Sequence, residues 1–213
     1  MSAGQLPLVH EAPYVDIETL LPHWAALPHC VCLDTALPHE ATGRFTFLTA
    51  DPYRVWAIPP DASRSEALRT LEEAAAAVSP PDVAASPPGP CPFSGGLVGM
   101  WSYDLGRHFE ELPIPLARFR DNDFPLFWAG LYDVVLGIDH RDRRAWLISQ
   151  GLPSVQPDRR RRRAASRLRR FRLLLEQALE QAAREPGSRP RGTHSGPAPA
   201  VPSAFPPGPP RPT

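Results

Sequence analysis

Residues 125–149 have the sequence PLFWAGLYDVVLGIDHRDRRAWLIS. Apolar side chains dominate two runs, Pro125 to Asp139 and Arg144 to Ser149, and the polar residues His140 to Arg143 separate them. Two runs rich in β-branched and aromatic residues, joined by a short polar segment, are typical of a β-hairpin. We therefore predict a hairpin that turns at residues 140–143.

Other segments predict more strands and some short helices. Apolar or alternating runs predict strands over residues 30–33, 44–50, 53–58 and 95–102. A short helix is predicted over Asp16 to Leu21, capped by Asp16. Ser63 and Glu66 have the spacing of a capping box, and apolar residues recur behind them at helical spacing, which predicts a helix over residues 64–78. Strands with few helices and no regular βαβ alternation favour an α+β fold on a mixed or antiparallel sheet.

The composition changes near residue 152. We predict one folded domain over residues 1–152 and a basic amphipathic linker helix over residues 157–185. Residues 186–213 consist mainly of Pro, Gly, Ala, Ser and Arg with a single aromatic, Phe205. Such a segment buries too little apolar surface to offset the cost of ordering its backbone, so we expect a disordered Pro-rich tail.

The charge composition is unusual but balanced. The chain has 23 basic residues, all of them arginine, and 23 acidic residues. Without lysine there is no amine for Schiff-base chemistry. No export signal is visible in residues 1–16, and the longest apolar run, residues 124–138, is interrupted by Asp133 and too short to span a membrane. Together with an odd number of cysteines, these features predict a cytoplasmic protein with no membrane partner.

Some motifs suggest ligands but have simpler interpretations. His29, Cys30 and Cys32 resemble part of a metal site, yet a fourth ligand at suitable spacing is missing, so we favour a buried thiol pair and no metal. Gly95, Gly96 and Gly99 resemble a phosphate loop, but no lysine follows them. We expect a strand that passes close to another element instead. Asp104 is expected to cap a short helix and to pair with Arg107.

The nine arginines between Arg159 and Arg172 are the main competing signal. Such a run can bind phosphates or an acidic surface. Aromatic interleaving is limited to Phe171, and the rest of the chain offsets the charge. Specific binding of nucleic acid is therefore not expected, but a stand-alone module that binds nucleic acid or an acidic partner through this helix is the alternative hypothesis.

Four segments, in order, resemble one known family. They are Leu33-Asp34-Thr35-Ala36, Gly43 to Leu48 with Ala50-Asp51-Pro52, Pro92 to Gly99 running into Ser102 to Glu110, and Leu131-Tyr132-Asp133 with Asp139-His140. The third segment is the longest and most specific. Over roughly residues 9–151 the chain resembles component I of the aminodeoxychorismate and anthranilate synthases, and it is more similar to the aminodeoxychorismate branch, which serves para-aminobenzoate and folate synthesis.

The resemblance implies a non-catalytic part of that enzyme. In the family, a C-terminal domain binds chorismate and magnesium, and a glutamine amidotransferase subunit supplies ammonia. The motifs that resemble this chain belong to the N-terminal, tryptophan-pocket half. We therefore expect no catalytic residues and no cofactor in this chain, inactivity by itself, and a chorismate-binding domain that is separately encoded or missing.

By matching position, the resemblance also implies a set of pocket residues. These candidates for a tryptophan pocket are Leu33, Thr35, Gly43, Arg44, Phe45 and Thr46. Arginine pairs with a carboxylate through two hydrogen bonds, and a phenyl ring can cover an aromatic ligand. Thr35 replaces the family's serine and adds a methyl group. The alternative is an ordinary strand pair with an outward arginine and an inward phenylalanine.

Overall fold

A computed structural model describes residues 6–34, 43–78, 89–110 and 124–184. The strands in these ranges are β1 (Leu8–Ala12), β2 (Val31–Leu33), β3 (Phe45–Thr49), β4 (Arg54–Ile58), β5 (Gly96–Trp101), β6 (Phe127–Tyr132), β7 (Val134–Asp139) and β8 (Arg144–Ser149). The helices are α1 (Ile17–Trp24), α2 (Arg64–Val78) and α3 (Pro157–Arg184), with a 3₁₀ helix over Tyr103–His108.

The larger sheet has five strands in the order β1-β8-β7-β3-β2, and every neighbouring pair in it is antiparallel. The predicted hairpin is its centre, with Asp139 paired to Arg144 across the turn. Helices α1 and α3 cover one face of this sheet. Trp24 of α1 and Phe171 of α3 lie edge to face at 5.6 Å between ring centroids, within the same core as Leu136 and Leu147.

The smaller sheet has three antiparallel strands in the order β4-β6-β5. Helix α2 packs against it and buries Ala67 and Ala74 beside Trp56 and Phe127. The capping box that starts α2 is present as predicted: the Ser63 backbone N–H donates to Glu66 Oε2 at 2.9 Å, and the Glu66 N–H donates to Ser63 Oγ at 3.3 Å.

The chain passes between the two sheets at two points. Between β3 and β4 it crosses at Asp51, which has a φ of 53°, and between β6 and β7 it crosses at Asp133. The prediction of one continuous strand over residues 125–139 was wrong, because these residues form two strands, β6 and β7, which belong to different sheets. Both strands are buried on both faces, so the apolar run carried no period that could mark the break.

The predicted α+β class is confirmed, with antiparallel sheets, a few helices and a long basic helix at the end of the described chain. Strand β1 had no clear sequence signal and pairs with β8 at the sheet edge. Ser102 rather than Asp104 caps the 3₁₀ helix, since Ser102 Oγ accepts from the Asp104 N–H at 3.2 Å; Asp104 pairs with Arg107 at 3.0 Å as expected. The predicted tail over residues 186–213 lies outside the described residues.

No helix in the described ranges has the length and apolar character that crossing a membrane requires.

Candidate functional site

The described members of the predicted pocket lie around the start of β3 and the end of β2. Leu33, Gly43, Arg44, Phe45 and Thr46 belong to the described chain, whereas Thr35 lies outside it. Leu33 is 41% exposed, and Thr46 is completely buried. The predicted role of these residues as a tryptophan pocket remains a prediction.

The candidates divide between the two faces of the larger sheet. Side chains alternate along a strand, and Leu33 pairs with Phe47, two residues after Phe45. Phe45 and Phe47 stack at 5.9 Å on the face away from α1 and α3. Thr46 points to the opposite face, the one covered by helices. Strand geometry therefore brings Leu33 and Phe45 together and separates Thr46 from them.

Arg44 is held by two carboxylates of the β7–β8 turn. Its Nε donates to Asp139 Oδ2 at 3.1 Å and its Nη2 to the same oxygen at 2.6 Å, while Nη2 also reaches Asp142 Oδ2 at 2.9 Å. Burial alone would raise the pKa of Asp139, but the hydrogen bonds from Arg44 and from the turn backbone lower it below its ordinary value. The Arg44 guanidinium also lies 4.8 Å from the centre of the Phe45 ring.

Thr46 belongs to a separate polar network. Its hydroxyl donates to Asp34 Oδ1 and lies 2.7 Å from His140 Nε2. The other ring nitrogen, His140 Nδ1, lies 3.2 Å from the Tyr14 hydroxyl. The sequence assigned no role to Tyr14 or His140. The Asp139-His140 pair was visible in the motif, but its contacts with residues more than 90 positions away were not.

Aromatic side chains cover much of the face on which Phe45 lies. Trp146 and Ile148 are buried there against Cys91, and Phe93 lies edge to face with Phe47 at 5.5 Å between ring centroids. Phe45, Phe47 and Leu33 stay partly exposed at one side of this surface. We name the surface formed by Leu33, Phe45, Phe47, Phe93 and Trp146 the aromatic face.

Arginines of the basic helix α3 form ion pairs with two aspartates of the folded domain, Asp51 and Asp133. Arg167 Nη2 lies 3.0 Å from Asp133 Oδ1, and its guanidinium also binds the Asp51 carboxylate and the Asp51 carbonyl. Arg170 Nη1 reaches Asp51 Oδ2 at 2.6 Å. Burial raises the pKa of Asp133 in spite of Arg167 and Arg163. Burial also acts to raise the pKa of Asp51, but the hydrogen bonds and charge of Arg167 and Arg170 lower it.

Several of the nine arginines therefore serve the fold. Arg160 Nε donates to the Gln150 carbonyl at 2.9 Å, Arg163 donates to the Leu152 carbonyl, and Arg172 pairs with Glu176 one turn along the helix. Their partners are backbone carbonyls and carboxylates of the same chain. Arginines that are engaged in these contacts are less available to the phosphates of a nucleic acid, which the alternative hypothesis requires.

The described residues contain no group of three or more His, Cys, Asp or Glu side chains that could hold a metal ion. Magnesium prefers several oxygen ligands in octahedral geometry. The buried carboxylates of Asp133 and Asp139 are instead occupied by arginine.

The other ligand-like motifs have structural contacts. Burial, with smaller contributions from Asp34 and Cys30, raises the pKa of Cys32 to about 11, and the neighbouring His29 ring lies 5.3 Å from the Trp128 ring. The glycine motif places Gly99 in β5 directly beside β6, where a Cβ would lie 2.1 Å from the Trp128 carbonyl oxygen. This agrees with a close strand approach.

The chain shows partial similarity to known proteins, although no family model matches it. Aminodeoxychorismate synthase component 1 of Salmonella typhimurium is 41% identical over 81 residues, covering 32% of this chain and 17% of that protein. The Escherichia coli protein of the same name is 42% identical over 72 residues, covering 28% and 16%. Anthranilate synthase component 1 of Synechocystis is 26% identical over 163 residues, covering 68% and 31%.

A solved structure, anthranilate synthase component I from Streptococcus pneumoniae, superposes with a TM-score of 0.45 at 16% identity, covering 76% of this chain and 37% of that one. This chain thus aligns with less than a third of the length of each of the three curated relatives. Over those partial segments, the chain is similar to component I of the aminodeoxychorismate and anthranilate synthases.

Proposed function

We propose that this chain is the non-catalytic scaffold half of a chorismate-utilising component I, nearest the aminodeoxychorismate type, and that it acts in the cytoplasm. The observation that carries the proposal is the segmental identity of 40–42% to three bacterial aminodeoxychorismate synthase components. The plant anthranilate synthase subunits reach 38% over similar lengths, which supports the choice of branch.

The carboxylates of the chain support a scaffold role. Amination of chorismate requires a magnesium-bound substrate and positioned acid and base groups. Asp51, Asp133 and Asp139 are all bound by arginine side chains that join separate segments. Because releasing Asp133 or Asp139 would leave a buried charge unpaired, these two groups serve the fold better than they would serve proton transfer. Magnesium belongs, in this proposal, to the chorismate-binding domain.

The aromatic face is the proposed contact with that chorismate-binding domain. Helices α1 and α3 cover the opposite face of the larger sheet, whereas Leu33, Phe45 and Phe47 remain partly exposed. Partly exposed aromatic and aliphatic side chains on a sheet face are suited to burial against another apolar surface. A glutamine amidotransferase subunit is the proposed source of ammonia for the complete enzyme.

The edge of the same face is the proposed amino-acid pocket. The Arg44 side chain is 36% exposed, and that of Asp142, one of its two partners, is 54% exposed. A ligand carboxylate can therefore replace Asp142 while Asp139 continues to hold the guanidinium. Phe45 and Leu33 lie where they would contact the aromatic ring of tryptophan, whereas Thr46 is buried on the opposite face of the sheet and would not touch the ligand.

The proposal is tested by assembling the enzyme from two parts. The chain alone, given chorismate, magnesium and ammonium, should form no aminodeoxychorismate or anthranilate. Mixed with a separately expressed chorismate-binding domain of the Salmonella enzyme, it should form a complex on size exclusion and raise turnover above that of the domain alone. Turnover by the chain alone overturns the scaffold role, and failure to form a complex overturns the proposed partner.

Two matched leucines localise the contact. Leu33→Asp places a charge on the aromatic face and should abolish the complex. Leu173→Asp, at a leucine 54% exposed on α3, changes the charge equally but elsewhere, and the complex should survive it. Equal effects of the two substitutions would place the contact away from the aromatic face.

The alternative function is binding of nucleic acid or an acidic partner by α3. Its support is the set of exposed arginines on that helix, which includes Arg159, Arg162 and Arg169. Under this alternative, the triple substitution of these residues by glutamine abolishes a salt-sensitive affinity for duplex DNA. Under our proposal, no specific DNA affinity exists at physiological salt for the substitution to remove.

A further inference from the structure

A line of hydrogen bonds links four separate segments beside the proposed pocket. It runs from Tyr14 before α1, through His140 in the β7–β8 turn and Thr46 in β3, to Asp34 after β2. The His140 backbone N–H also donates to the Arg44 carbonyl at 2.9 Å, so the imidazole is held from its main chain. Thr46 is completely buried, which makes an unpaired hydroxyl there costly.

The direction of each hydrogen bond follows from counting hydrogens. An ionised Asp34 carboxylate only accepts, so Thr46 must donate its single hydroxyl hydrogen to it. Thr46 can then meet His140 only as an acceptor, and His140 Nε2 must carry a hydrogen. In the neutral ring Nδ1 is consequently an acceptor, and the Tyr14 hydroxyl donates to it.

The surroundings of Tyr14 agree with its role as the donor to His140 Nδ1. Tyr14 keeps its phenolic hydrogen because partial burial and the nearby Asp16 raise its pKa above the ordinary value. The Arg143 guanidinium lies 4.4 Å from the centre of the Tyr14 ring and so packs on the phenol. Asp16 Oδ1, at 3.5 Å, competes for the single hydrogen of the Tyr14 hydroxyl, but His140 Nδ1 is the nearer acceptor at 3.2 Å.

We propose that His140 is a positioning residue of the pocket: as the Nε2–H tautomer, it orients the Thr46 hydroxyl toward Asp34 and thereby fixes the end of β2 that carries Leu33. This inference rests on the proposed function for the identity of the ligand. We call the hydrogen-bonded set of Tyr14, His140, Thr46 and Asp34 the relay. It lies on the helix-covered face of the larger sheet, so it acts on the ligand side of that sheet through Asp34 and the adjoining Leu33.

The relay itself is tested without any ligand. Long-range ¹H–¹⁵N spectra of the full chain should show His140, assigned by its loss in His140→Gln, as the Nε2–H tautomer. Thr46→Val removes the acceptor and should shift His140 toward a mixture of tautomers, whereas Thr46→Ser keeps the hydroxyl and should preserve the wild-type shifts. An Nδ1–H tautomer in the wild type, or unchanged shifts in Thr46→Val, overturns the relay.

The positioning role is tested on the complex with the chorismate-binding domain. Loss of one oriented hydrogen bond in His140→Ala should weaken tryptophan binding about tenfold. His140→Gln keeps an amide N–H near the position of Nε2 and should restore most of that affinity. His23→Ala, in the last turn of α1, is the control and should leave the affinity unchanged.

The two proposals fail in different ways. Wild-type tryptophan binding that His140→Ala leaves intact overturns the positioning role alone. A wild-type complex that does not bind tryptophan overturns the pocket and the positioning role together, and the tautomer spectra still decide whether the relay exists.

Discussion

Arg167 of α3 lies 3.0 Å from the carboxylate of Asp133, which is fully buried where the chain passes from β6 to β7. The same guanidinium donates to the Asp51 carbonyl at 2.7 Å, where the chain passes from β3 to β4. A single side chain therefore holds both crossings between the two sheets. Helix α3 is in this way attached to the folded domain by charge as well as by its apolar core residues.

Replacing Arg167 should destabilise the fold strongly. Arg167→Met keeps most of the side-chain volume but removes the 3.0 Å ion pair of Asp133 and leaves the longer one, to Arg163 at 3.6 Å. Breaking a buried pair on one side costs about 3–5 kcal/mol of unfolding free energy, which urea denaturation can measure. Arg172→Met removes an exposed pair with Glu176 and should cost less than about 1 kcal/mol. Similar losses in both variants would refute the structural role of Arg167.

Acid stability should depend on Asp139. Its pKa lies below the ordinary value of 3.8 in the folded chain, so the ionised form contributes stability above that value and the contribution is lost as pH falls through the lower folded pKa. Asp139→Asn should therefore be less stable at neutral pH and should lose less on acidification. Urea midpoints across the acidic range, with Asp61→Asn as an exposed control, check this. If the urea midpoint of Asp139→Asn falls with pH in parallel with that of the wild type, the prediction is wrong.

Gly151 should tolerate no side chain. It has a φ of 71°, and a Cβ there would lie 2.1 Å from the Arg160 carbonyl oxygen at the start of α3. Gly151→Ala should cost about 2–4 kcal/mol through left-handed backbone strain and displacement of the helix. Gly89→Ala is the control, because its Cβ would meet no atom closer than 3.8 Å. Thermal unfolding of the two variants should differ clearly, and equal midpoints would disprove the close approach.

The cysteines should behave as structural thiols. Burial is the main cause that raises the pKa of Cys32 and of Cys91 to about 11 from the ordinary 9.0, and it raises that of Cys30 as well. At about pH 8 the thiolate fraction of Cys32 and Cys91 is lower in the folded chain, although a thiolate of higher pKa is also more nucleophilic. Both thiols should therefore react with Ellman's reagent roughly tenfold more slowly than in the urea-unfolded chain. The Cys30→Ser variant keeps Cys32 and Cys91 as its two thiols. If either thiol reacts in the folded variant as fast as in the unfolded chain, this prediction is wrong.

Local features were predictable because their determinants are close in sequence. The capping box of α2 joins Ser63 and Glu66, three positions apart, and the helix spans Arg64–Val78 as its spacing indicated. The separation of Phe45 from Thr46 was also predictable, because successive side chains of a strand point to opposite faces of the sheet. The set of pocket candidates came from a motif of consecutive residues, which does not take this alternation into account.

By itself, the sequence determined the elements with local signals, the α+β class and the similarity of partial segments to component I. Only the tertiary structure decided that Asp133 divides one apolar run between two sheets and that Arg167 binds both crossings. It also decided that His140 lies between Tyr14 and Thr46. Each of these contacts joins residues at least 34 positions apart, and a contact across such a distance depends on the packing of whole sheets and helices, which no local pattern encodes.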